Sequence, residues 1–189
     1  MGIRLYSKLM LALFGFYAVA AFAAGCPLAE LKPGGVQEVV HILGPSGIGK
    51  KTLMRKLADP EGGRALRQAL GLGDNIELFG PSFKRPSDQL VQGKAKQLVH
   101  QWQFANHPQL YAAKKAFPDA HHRVVVLKRD IDDHTRGLQA RSPDWGDSNV
   151  IVRREWNRIA QIIEELKRDG FDVREFPVGN LGLFDQWKK

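Results

Sequence analysis

The sequence predicts an α/β fold, a three-layer domain built on a mainly parallel sheet of four or five strands. Apolar runs of strand length, above all Val36–Leu43 and Val124–Leu127, alternate with stretches whose apolar residues recur at helical spacing. An unbroken Val/Leu run is what a strand covered on both faces requires. The first run passes through a glycine-rich turn into a helix, the order of a parallel strand-and-helix unit. With 189 residues, 43% of them hydrophobic and 25% charged, the chain has material for one such core and too little for two.

Taken in order, residues 1–25 read as a signal peptide or membrane anchor. Arg4 and Lys8 precede an uncharged run from Leu9 to Ala24, and Ala21-Phe22-Ala23 offers a small-x-small cleavage site. The single cysteine, Cys26, follows Ala23-Ala24-Gly25, an arrangement that resembles a bacterial lipobox. The resemblance implies lipidation of Cys26 and a membrane-anchored lipoprotein facing the periplasm. An uncleaved anchor and a cytoplasmic protein with a buried thiol are the other readings. Tyr6 stands where N-myristoylation of Gly2 would need Ser or Thr. Residues 26–35, with Pro27, Pro33 and Gly34, form a linker, and residues 36–189 are assigned to the domain.

The turn after the first strand is Gly44-Pro45-Ser46-Gly47-Ile48-Gly49-Lys50-Lys51-Thr52, in which Gly44, Gly49 and Lys50 satisfy G-x-x-x-x-G-K. Glycines let backbone N–H groups approach phosphate oxygens, and the helix that follows points its unpaired amides at the anion. At these residues the chain resembles the P-loop NTPases. Gly44-Pro45-Ser46-Gly47 before Gly49-Lys50 is similar to guanylate kinases, and Gly49-Lys50-Lys51-Thr52 is similar to adenylate kinases. The resemblance implies that all nine residues bind ATP or GTP with Mg²⁺, that Lys50 reaches the terminal phosphates, and that Thr52 assists the metal. The slot directly after Lys50, where a hydroxyl would hold Mg²⁺, is Lys51. An exported domain would meet little ATP, so the expected location and the expected ligand pull apart.

A helix from Gly49 to Ala58 places Leu53, Met54 and Leu57 on one side and is stopped by Asp59-Pro60. A second, Gly63–Leu70, is closed by Gly71. Asn75–Phe79 is a short strand carrying Glu77, either a candidate base or a solvent-facing residue. Ser87 or Asp88 caps a predicted helix reaching Phe104, with Leu90, Val91, Ala95, Leu98, Val99 and Trp102 as its apolar stripe. Lys84, Arg85, Lys94 and Lys96 form either a basic rim or a solvated face. After a segment with Pro108 and Pro118 comes the strand Arg123–Leu127, then Lys128-Arg129-Asp130 and a short helix bearing Arg136 and Arg141. That order resembles the lid of P-loop kinases and implies catalytic roles for Arg136 and Arg141 beside Lys50. Five-residue spacing puts the two arginines on different faces, and pairing with Asp132 or Asp133 is the alternative. Asn149 caps the next helix, whose core stripe is Val152, Trp156, Ile159, Ile163 and Leu166 and whose end is Gly170. Phe171–Phe176 is the last strand. By the kinase resemblance, Gly179 and Asn180 after it are base-contact candidates, with a helix cap as the other reading of Asn180.

The formal charge is +8, of which Arg4 and Lys8 supply +2 and the remainder of the chain +6, a balance suited to anionic partners. Six histidines without a Cys partner or an H-x₃-H pair make no zinc site. An apolar run ending in Asp is missing, since Val124–Leu127 continues into Lys128. The expected function is ATP-dependent phosphotransfer to a small molecule or nucleotide. A non-catalytic nucleotide-binding module on a membrane-anchored lipoprotein is the alternative, supported by Lys51 and the missing acid. Nucleic acid binding ranks third and would use the basic charge with Trp145 and Trp156 beside Arg153 and Arg154.

Overall fold

The structure, a computed structural model, describes residues 35–79, 96–101, 108–141, 143 and 147–181. Its strands are β1 (Glu38–Leu43), β2 (Ile76–Phe79), β3 (Gln97–Gln101), β4 (His121–Lys128) and β5 (Asp172–Pro177). Its helices are α1 (Lys50–Leu57), α2 (Arg64–Ala69), α3 (Pro108–Ala116), α4 (Ile131–Arg141) and α5 (Ser148–Arg168), and a 3₁₀ turn follows at Val178–Leu181. The strands form one sheet in the order β2-β3-β1-β4-β5, and every pairing is parallel.

Register sorts the side chains by face. Val39, His41, Leu98, His100, His122 and Val124 share one side, and Val40, Ile42, Val99, Arg123 and Val125 share the other. The Arg123 guanidinium donates to the carbonyls of Leu70 and Gly71 just past α2. On the opposite side Phe171 packs edge-on against His41 and His122, and Lys128 lies over the Trp156 ring of α5. Helices therefore cover both faces, a three-layer α/β arrangement on a parallel sheet. The inner strands β1, β3 and β4 are buried almost end to end, whereas half of β5, at the sheet edge, is exposed.

Three expectations change. Residues 97–101 belong to a strand, not to the helix predicted up to Phe104; the remainder of that prediction, residues 87–95 and 102–104, lies outside the described residues. Leu98 and Val99 are fully buried toward opposite sides because β3 runs between β1 and β2, and long-range pairing decides what a short apolar pair leaves open. The cap of α5 is Asp147, whose carboxylate accepts from the amides of Asn149 at 3.0 Å and Val150 at 3.3 Å. Asn149 is already inside the helix, and its side chain accepts from Arg153 instead. Glu77 is buried on β2 rather than facing solvent. The segment before β4 contains α3, with Pro108 at its first position, where a missing N–H costs nothing. Residues 1–34, including the predicted signal or anchor and Cys26, lie outside the described residues. No helix among the described residues is long and apolar enough to cross a membrane.

His41, His100 and His122 stand on one face of three neighbouring strands. Nε2 of His122 lies 2.9 Å from the Phe117 carbonyl, which can only accept. That nitrogen therefore carries the proton, and Nδ1 of His122 accepts from His41 Nε2–H at 3.1 Å. Burial keeps all three neutral: His41 falls well below its ordinary value, His100 is lowered to about 3, and His122 is lowered too. A depressed folded-state pKa gives stability that is complete above the unfolded value near 6.5 and is lost as pH falls, by about 1.4 kcal/mol per pH unit for each histidine that stays neutral. Urea unfolding at pH 7, 6 and 5.5 is expected to show this decline before the carboxylates titrate, and His100→Leu should flatten it. A pH-independent unfolding free energy over that range would contradict the arrangement.

Candidate phosphate-binding site

β1 is flanked by β3 and β4, and the chain leaves it first toward one edge of the sheet and later toward the other. Such a switch point opens a crevice outside the carboxyl ends of the strands. The glycine-rich loop lies there. Gly47 has φ +77° and Gly49 φ +106°, left-handed backbone that side chains disfavour. A Cβ on Gly47 would also come within 2.9 Å of both the Arg141 guanidinium and a Leu138 methyl. Ile48 is fully buried and anchors the loop, its amide donating to the Pro45 carbonyl at 3.3 Å. Lys50 opens α1.

Four side chains from elsewhere meet this loop or its cations. The Lys50 ammonium donates to the carbonyls of Gly44 at 2.7 Å and Pro45 at 2.8 Å. Burial lowers it to about 8, partly offset by the Glu155 charge. α4 lies across the loop: His134 Nε2–H donates to the Ser46 carbonyl at 2.8 Å, and Arg141 donates to the Gly47 carbonyl at 2.7 Å. Because Nε2 carries the His134 proton, its Nδ1 is a bare acceptor, buried and without a partner among the described residues. Arg129, at the end of β4, lies against Gly137 of α4. Burial first, and then the Arg129 charge, lower the pKa of Arg141. From α5, Glu155 closes on the loop: its Oε2 accepts from the Ser46 amide at 2.6 Å and its Oε1 from the Ser46 hydroxyl at 2.9 Å.

The predicted residues Gly44 through Thr52 thus form one loop and the first turn of a helix, with Lys51 exposed and Thr52 half-buried. Arg141 joins them. Arg136 does not: it is exposed and pairs with Asp133 one turn away, as the five-residue spacing allows. Glu77 sits on the edge strand, separated from β1 by β3. Gly179 and Asn180 lie in the 3₁₀ turn after β5. Trp156 is buried against His134 rather than free to stack on a base, and Trp145 lies outside the described residues.

Sequence reasoning missed four groups at or beside the site: Arg129, His134, Glu155 and Gln101. Gln101 ends β3 opposite Ile42 of β1, with its Oε1 buried and unpartnered among the described residues. Gln101 left no signal, because residues 97–101 read as part of a helix in the sequence. Glu155 did leave a signal, a carboxylate three residues after Val152 and four before Ile159 on the core-facing stripe of α5. Among the described residues no group of three or more His, Cys, Asp or Glu could hold a metal ion.

No protein-family model matches the chain, and no curated protein matches it. Among solved structures it is similar to a gluconokinase from Sinorhizobium meliloti 1021, at 12% identity over 77% of this chain and 83% of that chain, with a TM-score of 0.40. It is also similar to the PezAT chromosomal toxin-antitoxin system of the human pathogen Streptococcus pneumoniae, at 12% identity over 85% of this chain and 76% of that chain, with a TM-score of 0.47. Strand order and the loop themselves define the fold.

The state of Lys50 makes the loop testable without any nucleotide. In the free protein Lys50 is charged below about 8, and an anion beside it favours the charged form and raises that value. Anion affinity should therefore be full below this pH and fall as pH rises through it, by up to about tenfold per unit. Sulfate, which stays dianionic throughout, is the probe. An NMR titration at pH 7, 8 and 9.5 is expected to show the decline, and a flat profile would remove Lys50 from the site.

Proposed function

We propose that the protein binds ATP or GTP with Mg²⁺ at this loop and transfers the γ-phosphate to a small molecule or a nucleotide. The observation that supports the reading is convergence. The left-handed glycine turn, the buried Lys50 and Arg141 from a separate helix all meet at the carboxyl end of the central strand. Phosphoryl transfer asks a protein for positioning and charge stabilisation more than for covalent chemistry. Lys50, now on the Gly44 and Pro45 carbonyls, would turn to the phosphate oxygens. Arg141, now on the Gly47 carbonyl, would offer its planar fork to the charge spread over the transferring group. Arg129 adds positive potential behind it.

Mg²⁺ would neutralise the polyphosphate and hold its oxygens in register. The Thr52 hydroxyl is the loop's own candidate ligand, and a metal that keeps several waters and rides largely on substrate phosphates suits so sparse a donor set. A non-catalytic nucleotide-binding module is the second reading. It is favoured by Lys51 in the hydroxyl slot and by Gln101, an amide instead of an acid, at the end of β3. The N-terminus is proposed to attach the domain to a membrane, through Cys26 lipidated once residues 1–25 are cleaved off, or through residues 1–25 kept as an anchor. The intact mass of the native protein tests this, and an unmodified N-terminus in the soluble cytoplasmic fraction would overturn it.

Isothermal titration and turnover assays on variants separate the roles. Lys50→Ala is expected to remove most nucleotide binding. Arg141→Lys keeps the charge but loses the fork, so kcat should fall by about tenfold or more with nucleotide affinity little changed. Arg136→Lys should be near wild type while Asp133 holds Arg136, and a drop in its turnover would return that residue to the site. No nucleotide binding by the unmodified protein would overturn the reading. Binding without turnover of ATP or of any acceptor would favour the module, with Lys51→Ser as the variant in which hydrolysis should then appear.

A further inference from the structure

We propose that Glu155 is an internal latch on the phosphate loop: in the ligand-free protein its carboxylate occupies the place of a phosphoryl oxygen at Ser46, and a polyphosphate binds by displacing it. The inference rests on the phosphate-binding reading of the loop and adds how that site is regulated. A carboxylate oxygen and a phosphate oxygen ask the same thing of an N–H donor, a short charge-assisted hydrogen bond. Glu155 makes such a bond to the Ser46 amide at 2.6 Å, and its second oxygen takes the Ser46 hydroxyl at 2.9 Å. Both oxygens of the side chain are thus spent on one loop residue.

Two further observations fit a latch better than a passive strut. Glu155 is half-buried on α5, on the helix face between the buried Val152 and Ile159. Its charge also acts on the loop's other groups, favouring the protonated forms of Lys50 and His134. It is a counter-ion for cations gathered to hold an anion. The remaining cations are parked in the same way, Lys50 on the carbonyls of Gly44 and Pro45 and Arg141 on that of Gly47. The Ser46 donors, Lys50 and Arg141 are therefore already partnered within the chain, and an incoming anion exchanges with Glu155 at Ser46. α5 is held to the sheet by Trp156, Ile159 and Ile163, so release needs only rotation of the flexible Glu155 side chain. The latch lowers the affinity of the site for every polyphosphate and protects buried cations when none is bound.

A strut and a latch predict opposite signs. Loss of a strut weakens folding and binding together, whereas loss of a latch weakens the free protein and tightens binding. The experiment compares the full-length protein with Glu155→Gln by titration with inorganic tripolyphosphate and, separately, with ATP, and records Tm without ligand. Glu155→Gln is expected to lower the ligand-free Tm and to bind tripolyphosphate about tenfold or more tightly than wild type, from the worth of a hydrogen bond to a charged group. Equal or weaker tripolyphosphate binding by the variant, or none by either protein, overturns the latch. Tighter tripolyphosphate binding with no ATP binding leaves the latch standing and defeats the nucleotide reading instead. Should Glu155→Gln fail to fold, the side-chain carboxyl ¹³C signal of Glu155 in the unmodified protein decides. It is expected to shift on saturation with tripolyphosphate, and an unmoved signal overturns the proposal.

Discussion

The left-handed turn at Gly47 and Gly49 is the constraint on which the rest of the site depends. It lets the chain leave the central strand, fold back over the strand end and enter α1 with Lys50 at the first position. Because Gly47 has no side chain, α4 can lie close enough for His134, Leu138 and Arg141 to touch the loop. A methyl group there would meet both the Arg141 guanidinium and Leu138, so the turn and the helix above it are one geometric solution.

Charge is distributed unevenly along the sheet. At the amino end of the strands Glu38 accepts from Arg123 at 2.8 Å and from Gln97 at 2.6 Å. Burial would raise the Glu38 carboxyl, but Arg123, Gln97 and His121 together outweigh it and hold the group below its ordinary value. This network is closed, and Arg123 also satisfies carbonyls beyond α2. At the carboxyl end, by contrast, Lys50 and Arg141 rest on loop carbonyls and Glu155 holds Ser46. The first arrangement stabilises the fold, and the second is the one proposed to exchange with a ligand. Between them the sheet buries three neutral histidines, which ties its stability to pH without involving the loop.

Much of this was legible along the chain because the signals are local. The G-x-x-x-x-G-K spacing, the apolar run before it and the helical spacing after it lie within one stretch, and the buried run of β4 reads as a parallel strand by itself. That Arg136 and Arg141 stand on different faces of α4 was also legible, since five residues rotate a helix onto another face, but which of the two meets the loop was not. β3 was not legible. Gln97-Leu98-Val99-His100-Gln101 has one adjacent apolar pair, and only its place between β1 and β2 makes it a strand. The helix cap at Asp147 was missed by two residues, within the ordinary uncertainty of a helix boundary.

By itself, then, the sequence determined the α/β class, the loop and the residues that line it, because backbone geometry and hydrophobic period are set by near neighbours. Tertiary structure alone decided that Arg141 reaches the loop while Arg136 does not, that Gln101 ends the strand beside it, and that Glu155 crosses from a helix 109 positions away to take the Ser46 amide. The physical reason is that a charged side chain carries no mark of its partner in the sequence. Its role is set by which opposite charge or open donor the packing of distant elements brings within hydrogen-bond reach.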